Sequence, residues 1–254
     1  KDWPPWRIMG FEGPSFELWK PLPTVAGNWA EKRAKAQGFF LESPCRLSML
    51  LQMNAEAAFK IFEQTILDYH KTDDVDAPMK NPHPEGSLEA LLYRKNWIDT
   101  VQWHLEDIVR EPPIDPIEGL ALKRRIDSSN QDRTNVVELV DDMYIEMLKD
   151  SRPATDARLN TESPGWAMDR LSILALKIYH MKEQVERTDA SAEHIQKCQT
   201  KLNVLMEQKS DLIRAFDELI EDIRAGKRFA KVYRQMKMYN DESLNPVLYA
   251  KSKN

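Results

Sequence analysis

Residues 192–223, AEHIQKCQTKLNVLMEQKSDLIRAFDELIEDI, carry the most regular helical pattern of the chain. Apolar residues recur there at alternating intervals of three and four positions, and one lysine takes a place among them. The members of this stripe are Ile195, Cys198, Leu202, Leu205, Lys209, Leu212, Phe216, Leu219 and Ile223. We expect this helix to begin at Thr188 or Asp189 and to end before Gly226. At about 36 residues it is roughly 54 Å long. Such a stripe packs at small crossing angles and predicts an elongated antiparallel bundle.

Four further helices are predicted upstream, at about 54–71, 88–110 and 116–149 and from 164 onward. Their starts carry recognisable capping signals. Ser87 can cap the second helix, Asp115 with Pro116 begins the third, and Ser163 with Pro164 begins the fourth. No segment alternates with the period of a strand, and no internal repeat is found. The predicted fold class is therefore all-α, with about five long helices.

Three regions differ in composition. Residues 1–52 are rich in Trp and Pro and lack periodicity, and we expect an irregular extension there, with Met53 as the natural start. Residues 53–226 form the predicted helical bundle. In residues 227–254, the stretch 227–239 predicts a basic amphipathic helix, which suits an anionic membrane surface, a protein partner or docking on the bundle. The last residues are expected to form an extended strap, because Pro246 disfavours a helix.

Composition excludes several classes of function. The chain has 254 residues, 42% of them hydrophobic and 30% charged, which is typical of a globular protein. A net charge of −5 argues against nucleic acid as the partner. Two cysteines, Cys45 and Cys198, favour a reducing cytoplasm over a disulfide framework. No apolar run is long enough to span a bilayer, and no signal peptide is expected. The motifs GxGxxG, GxxxxGK[ST], GxSxG and HExxH do not occur.

Ionisable side chains occur where a helical core is expected. The apolar stripe of NTESPGWAMDRLSILALKIYHM (residues 160–181) is accompanied by four such residues, Asp169, Arg170, Lys177 and His180. Burying a charge is costly unless it is paired. We therefore expect these groups to meet the acids and amides of the two preceding helices in one polar layer, near positions 106, 127 and 169. The layer is either a network of ion pairs that fixes helix register or the wall of a ligand site.

If the layer is a ligand site, its residues divide by chemistry. The catalytic candidates are His104, Glu106, Asp107, Asp127, Asp169 and His180. The ligand-binding candidates are Arg124, Arg125, Asn130, Arg133, Arg170 and Lys177. The metal candidates are Glu106, Glu138, Asp141 and Asp142. Carboxylates that hold Mg²⁺ or Mn²⁺ beside basic groups suit a phosphorylated or nucleotide substrate. His104 is alternatively a packed core residue, and His70, His83 and His194 are expected at the surface or in turns.

Four separated motifs resemble an uncharacterised bacterial family that is classed as a domain of unknown function. They are LYRKNWIDTVQWHLEDIVR, LKRRIDSSNQDRT, NTESPGWAMDRLSILALKIYHM and QMKMYNDESLNPVLY, and the resemblance runs from about residue 55 to 249. It implies an all-helical protein whose genes often lie near cell-envelope glycosyltransferases of the lipopolysaccharide heptosyltransferase type. It implies no established activity.

Two functions remain open at this stage. The first is a cytoplasmic accessory or interaction protein linked to envelope glycan assembly, with a protein partner and peripheral contact with the inner membrane through 227–239. The second is a metal-dependent enzyme that acts on a phosphorylated or nucleotide substrate through the polar layer.

Overall fold

The computed structural model describes residues 53–235 and 243–250, so the predicted N-terminal extension lies outside the described residues. The elements in chain order are α1 (Ala55–Tyr69), α2 (Leu88–Ile108), α3 (Pro116–Met147), β1 (Arg158–Leu159), α4 (Pro164–Glu186), α5 (Ala192–Arg224), β2 (Arg228–Phe229) and α6 (Pro246–Tyr249). The predicted all-helical fold with five long helices is confirmed.

Polar side chains begin most of the long helices. The Asn54 carboxamide accepts a hydrogen bond from the Ala57 amide, and the Ser87 hydroxyl accepts one from the Ala90 amide. Asp115 accepts two amide hydrogen bonds at the start of α3, directly before Pro116. These contacts satisfy amides that have no partner inside the helix. The predicted starts of these helices are therefore close to the observed ones.

The helix α5 begins two or three residues later than predicted. Its N-cap is Ser191, whose hydroxyl accepts a hydrogen bond from the His194 amide, rather than Thr188 or Asp189. The Asp189 carboxylate instead accepts two hydrogen bonds of 2.9 Å from the Arg187 guanidinium. This local pair uses the side chain that would otherwise have capped the helix, and the helix starts at the next available cap.

The helix α4 is at the centre of the bundle and packs against each of the other four long helices. The core around it is formed by large apolar side chains, among them Phe59, Phe62, Leu91, Tyr144 and Met168, which are almost fully buried. Burial of such side chains is the main stabilising contribution in a helical domain.

The single lysine in the stripe of α5 lies against α1. The Lys209 ammonium is 4.0 Å from the centre of the Phe59 ring and 3.9 Å from a carboxylate oxygen of both Glu56 and Glu63. The aliphatic stem of a lysine can cover apolar surface while its charge contacts an aromatic face and acids. This contact explains why a cation occupies an otherwise apolar position.

The predicted amphipathic helix at 227–239 is wrong over its described part, 227–235. β2 pairs there in parallel with β1, with Arg158 opposite Arg228 and Leu159 opposite Phe229. The helix α5 ends at Arg224, and Gly226 follows its C-cap. The φ of +72° at Gly226 and its close approach to the Arg152 carbonyl favour glycine. The chain is thereby turned away from the helix axis into the strand.

The expected C-terminal strap is also wrong, because residues 246–249 form the short helix α6. Pro246 occupies the first helical position, where its missing amide hydrogen is not needed.

Among the described helices, none combines the length and the apolar content that a bilayer crossing requires.

The start of α4 approaches α3 closely at Gly165. A Cβ atom at this position would lie 2.7 Å from both the Asp141 side chain and the Val137 carbonyl oxygen. A Cβ at Gly119, in the first turns of α3, would meet only Ile114 at ordinary van der Waals distances. Glycine is therefore required by packing at one position and not at the other.

We predict that Gly165→Ala lowers the free energy of unfolding by about 1–3 kcal/mol, because overpacking outweighs the higher helix propensity of alanine. The matched variant Gly119→Ala should be neutral or gain up to about 1 kcal/mol. Urea unfolding followed by circular dichroism measures both. Equal stability changes in the two variants would contradict the packing argument.

Candidate functional site

A polar layer lies inside the bundle and is formed mainly by residues of α2 and α4. The Lys95 ammonium contacts the Asp99 carboxylate and is 2.9 Å from Asp169 Oδ1. Arg133 of α3 donates a hydrogen bond of 2.7 Å to the same Asp169 oxygen. Lys95 is only 2% exposed, and both aspartates are buried as well. Two cations thus balance two carboxylates, as the burial of charge requires.

Neutral side chains complete the polar layer. The Ser172 hydroxyl donates a hydrogen bond of 2.6 Å to Asp99 Oδ2, and the Asn96 amide donates one of 2.9 Å to the Ser172 hydroxyl. Burial raises the pKa of Asp99, while the Lys95 ammonium opposes this change. The members of the layer bind one another across three helices, and this geometry is that of a structural network that fixes helix register.

The expected convergence of Glu106, Asp127 and Asp169 is not observed. Glu106 pairs with Arg110 at 2.5 Å and Asp127 pairs with Lys123, each four residues apart on a helix surface. The physical reason for Glu106 is its distance along the helix: it follows Asp99 by seven residues, or roughly 10 Å, and lies near the end of α2, beyond the level of the polar layer.

The arginine candidates also separate. Arg170 pairs with Glu162 at the surface, and Arg125 binds the Val75 carbonyl and Asp76 in the loop after α1. Arg124 is exposed. Only Arg133, together with Asn130, reaches the polar layer, because the first turns of α3 are largely exposed.

The three carboxylates Glu138, Asp141 and Asp142, proposed as metal ligands, have other partners. Asp141 accepts 2.7 Å hydrogen bonds from the Ser163 hydroxyl and from the backbone amide at position 165, and so caps α4. Arg234 donates to the Glu138 carbonyl and pairs with Asp142. These acids therefore join α3 to α4 and to the segment after β2, and a metal site here is not supported by the geometry.

An open cleft of about 900 Å³ lies elsewhere and contains three histidines. His70 follows the last residue of α1, His104 lies on α2 and His180 lies on α4. One ring nitrogen of each histidine lies within 4.8 Å of those of the other two. We call these residues the histidine triad. Asp107 and Lys177, both named from the sequence, also line the cleft.

Each ring of the histidine triad has an oxygen atom on its Nδ1 side. His70 Nδ1 is 2.7 Å from the Ile66 carbonyl oxygen, to which it must donate. His180 Nδ1 is 2.7 Å from Glu183 Oε2, and His104 Nδ1 is 3.9 Å from Asp107 Oδ2. Such oxygen partners orient metal-binding histidines and leave the Nε2 lone pair free for the metal.

The Nε2 atoms have no such oxygen partners. His70 Nε2 and His104 Nε2 are 3.3 Å apart. His180 Nε2 is buried and has no hydrogen-bond partner among the described residues. In a tetrahedral zinc site with bonds of about 2.0–2.1 Å, ligand nitrogens are separated by roughly 3.3–3.5 Å. The pair formed by His70 and His104 has this separation, and one ring nitrogen of each of the three histidines lies within 4.8 Å of the others.

Aromatic side chains hold the rings in place. Tyr69 stacks on His104 with centroids 5.0 Å apart, and Trp103 stacks on His180 at 4.6 Å. Burial, followed by the charges of the other two histidines, lowers the pKa of His104. A neutral imidazole is the form that binds a metal ion.

His104 and His180 were named from the sequence, and His70 was expected at the surface or in a turn. His70 does lie in the turn directly after α1, but its meeting with the two other histidines was not predicted. A signal was present, because His70 stands four residues after Ile66 and eight after Phe62 on the apolar stripe of α1. A histidine that continues such a stripe past the end of a helix remains close to the core.

The fold and the site define an all-helical protein with an open, histidine-lined cleft beside a closed polar layer. The chain belongs to the family described as protein of unknown function, DUF4254, whose sequence profile matches residues 89–232. The match includes His104, His180 and the polar layer and begins after His70. No curated protein matches the chain. No solved structure matches it either.

We predict that Asp169→Ala lowers the free energy of unfolding by about 3–5 kcal/mol, because it leaves the buried Lys95 and the half-buried Arg133 without their shared carboxylate. Glu162→Ala, which removes an exposed pair with Arg170, should cost at most about 1 kcal/mol. Urea unfolding of both variants tests this, and a loss below 1 kcal/mol for Asp169→Ala would refute the structural role.

Burial raises the pKa of Asp141 from 3.8 to about 6. The folded state therefore binds more protons than the unfolded state between these pH values. Ionisation of Asp141 then costs about 3 kcal/mol of stability as the pH rises through 6. We predict that Asp141→Asn, unlike the exposed Asp132→Asn, removes this part of the pH profile of unfolding. Parallel profiles for wild type and Asp141→Asn would contradict the prediction.

Proposed function

We propose that the protein is a metal-dependent enzyme whose histidine triad binds a transition-metal ion of the zinc type. The observation that carries the proposal is the meeting of three imidazoles, one from the turn after α1 and one each from α2 and α4, with one ring nitrogen of each within 4.8 Å of the others. Imidazole nitrogens suit Zn²⁺ better than Mg²⁺, which prefers carboxylate and water oxygens. This reasoning moves the metal from the carboxylates proposed from the sequence to the histidines.

The arrangement supports catalysis rather than a purely structural ion. Structural zinc sites are closed by four protein ligands, whereas catalytic sites keep one position open for water or substrate. Three histidines supply three ligands, and the triad lines an open cleft. Neutral imidazoles leave the full charge of a divalent ion available to polarise a substrate or an attacking water.

The geometry also supplies support around the ligands. The Ile66 carbonyl and the Glu183 carboxylate each accept the Nδ1 hydrogen of a triad histidine. Tyr69 and Trp103 pack flat against the rings of His104 and His180. Ligands with fixed orientation lose little entropy when the metal binds, and this raises its affinity.

A second candidate function is an accessory or interaction protein linked to envelope glycan assembly, with a protein partner or peripheral contact with the inner membrane. Two observations favour an interaction role. The polar layer is occupied by its own ion pairs, and the first turns of α3 expose Ile117 and Leu120 by 80% and 53%. Neither observation accounts for the histidine triad, and the metal-dependent enzyme is therefore the first proposal.

We predict that the chelator-treated protein takes up one Zn²⁺ or Co²⁺ per chain, measured by equilibrium dialysis and elemental analysis. Bound Co²⁺ should give the intense visible absorption of a four- or five-coordinate ion. Zinc at 100 times its Kd should add about 2.7 kcal/mol to the free energy of unfolding. His104→Ala and His180→Ala should lose the bound ion, because each removes one of three ligands.

His83→Ala is the matched control, since His83 lies in the loop before α2 and does not line the cleft. It should retain the ion. A wild-type protein that binds neither ion, or triad variants that bind as well as His83→Ala, would refute the metal site and leave the interaction protein as the remaining candidate.

A further inference from the structure

The wall of the cleft that is formed by α5 carries hydrogen-bond donors and apolar groups but no carboxylate among its described residues. It consists of Thr200, Lys201, Val204, Leu205 and Gln208. The histidine triad belongs to the other elements of the cleft, α2, α4 and the end of α1. A ligand between the two walls would therefore contact a metal ion on one side and an ammonium and an amide on the other.

Two lysines in the cleft have no described partner. Lys201 on α5 and Lys177 on α4 are both exposed, and neither forms an ion pair or a hydrogen bond with any residue of 53–235 or 243–250. Lys177 precedes His180 by three residues, so the two side chains lie on the same face of α4. Both ammonium groups are available to a ligand in the cleft.

Two of the three acids that line the cleft lie beside histidines of the triad. Glu183 and Asp107 lie on the Nδ1 sides of His180 and His104. The third acid, Asp73, follows the end of α1 in a left-handed conformation with φ of 49°. With a divalent ion on the triad, the formal charges of these three carboxylates, two lysines and the metal sum to plus one.

We infer that the cleft binds a small phosphate-bearing molecule, with one phosphate oxygen on the open position of the metal and the others near Lys177 and Lys201. This inference rests on the proposed function. A phosphate offers three acceptor oxygens and nearly two negative charges, which match a metal ion and two ammonium groups. A carboxylate has two oxygens and one charge, and it therefore matches the metal ion and the two ammonium groups less well than a phosphate does.

The size of the cleft indicates that the ligand has an organic portion in addition to its phosphate group. Its volume of about 900 Å³ is that of a pocket for a whole organic molecule, far larger than a phosphate group. Beyond the charged groups, Trp103, Met181, Val204 and Leu205 supply apolar surface. The bound molecule is therefore a phosphate ester or anhydride with an organic portion, rather than free phosphate alone.

The experiment is calorimetric titration of the protein, with and without one equivalent of Zn²⁺, with inorganic phosphate, pyrophosphate, glycerol 2-phosphate and acetate. The three phosphate probes should bind the zinc-loaded protein, and acetate should bind at least tenfold more weakly. Lys177→Ala and Lys201→Ala should each weaken phosphate binding about tenfold, or 1.4 kcal/mol. Their zinc stoichiometry should be that of the wild type.

Lys182→Ala and Lys197→Ala are the matched controls, because both lysines are exposed on α4 and α5 and neither lines the cleft. A zinc-loaded protein that binds no phosphate probe, or cleft variants equal to these controls, would overturn the inference while the metal site stands. Equal affinity for acetate would overturn the phosphate class. Binding that needs both lysines but not zinc would keep the anion site and count against the metal.

Discussion

The ion pair between Lys95 and Asp169 sets the register of the two helices that carry His104 and His180. His104 follows Lys95 by nine residues and His180 follows Asp169 by eleven, so α2 and α4 run in the same direction. At 1.5 Å per residue the two separations are roughly 13 and 16 Å. The rings therefore meet at one level only if the buried pair is aligned. Arg133 fixes the intervening helix α3 to the same carboxylate.

Two roles were predicted for one polar layer, namely fixing the helix register and lining a ligand site, and the structure distributes them over the polar layer and the cleft. In the polar layer, buried cations and carboxylates pair with one another. The cleft is open, and its charged groups are either oriented towards the histidines or exposed. Helical packing alone restricts sliding and rotation of the helices less than a β-sheet restricts its strands. Because the ion pairs of the polar layer fix the helix register, they allow the histidine triad to be placed precisely enough for metal ligation.

The fold could be predicted from the sequence because caps and apolar periodicity are local. Ser87 and Asp115 mark helix starts through hydrogen bonds within one turn, Pro164 occupies the first position of α4, and the stripe of α5 is regular. The burial of Lys95 on α2 was not predicted. Lys95 is stabilised in the core by its contact with Asp169, which lies 74 residues away in sequence. No local pattern contains that contact.

The candidate site shows the same limit. His104 and His180 stand next to apolar stripes and were predicted as site residues for that reason. The role of His70 depends on how the end of α1 meets two other helices, which no local pattern shows. The prediction of a helix after Gly226 was wrong for a related reason. Its alternation of basic and apolar residues fits an amphipathic helix, but pairing with β1 and the contact of Arg234 with α3 impose an extended chain.

The position of His70 at the carboxyl end of α1 has an electrostatic consequence. The last carbonyls of a helix carry partial negative charge, and the Ile66 carbonyl is already directed at this ring. Together with the nearby carboxylates, this end of α1 makes the empty cleft attractive to a cation and repulsive to an anion. Occupation by a divalent ion reverses that preference. Under the proposed function, loading is therefore sequential, with the inorganic ion entering before its negatively charged substrate.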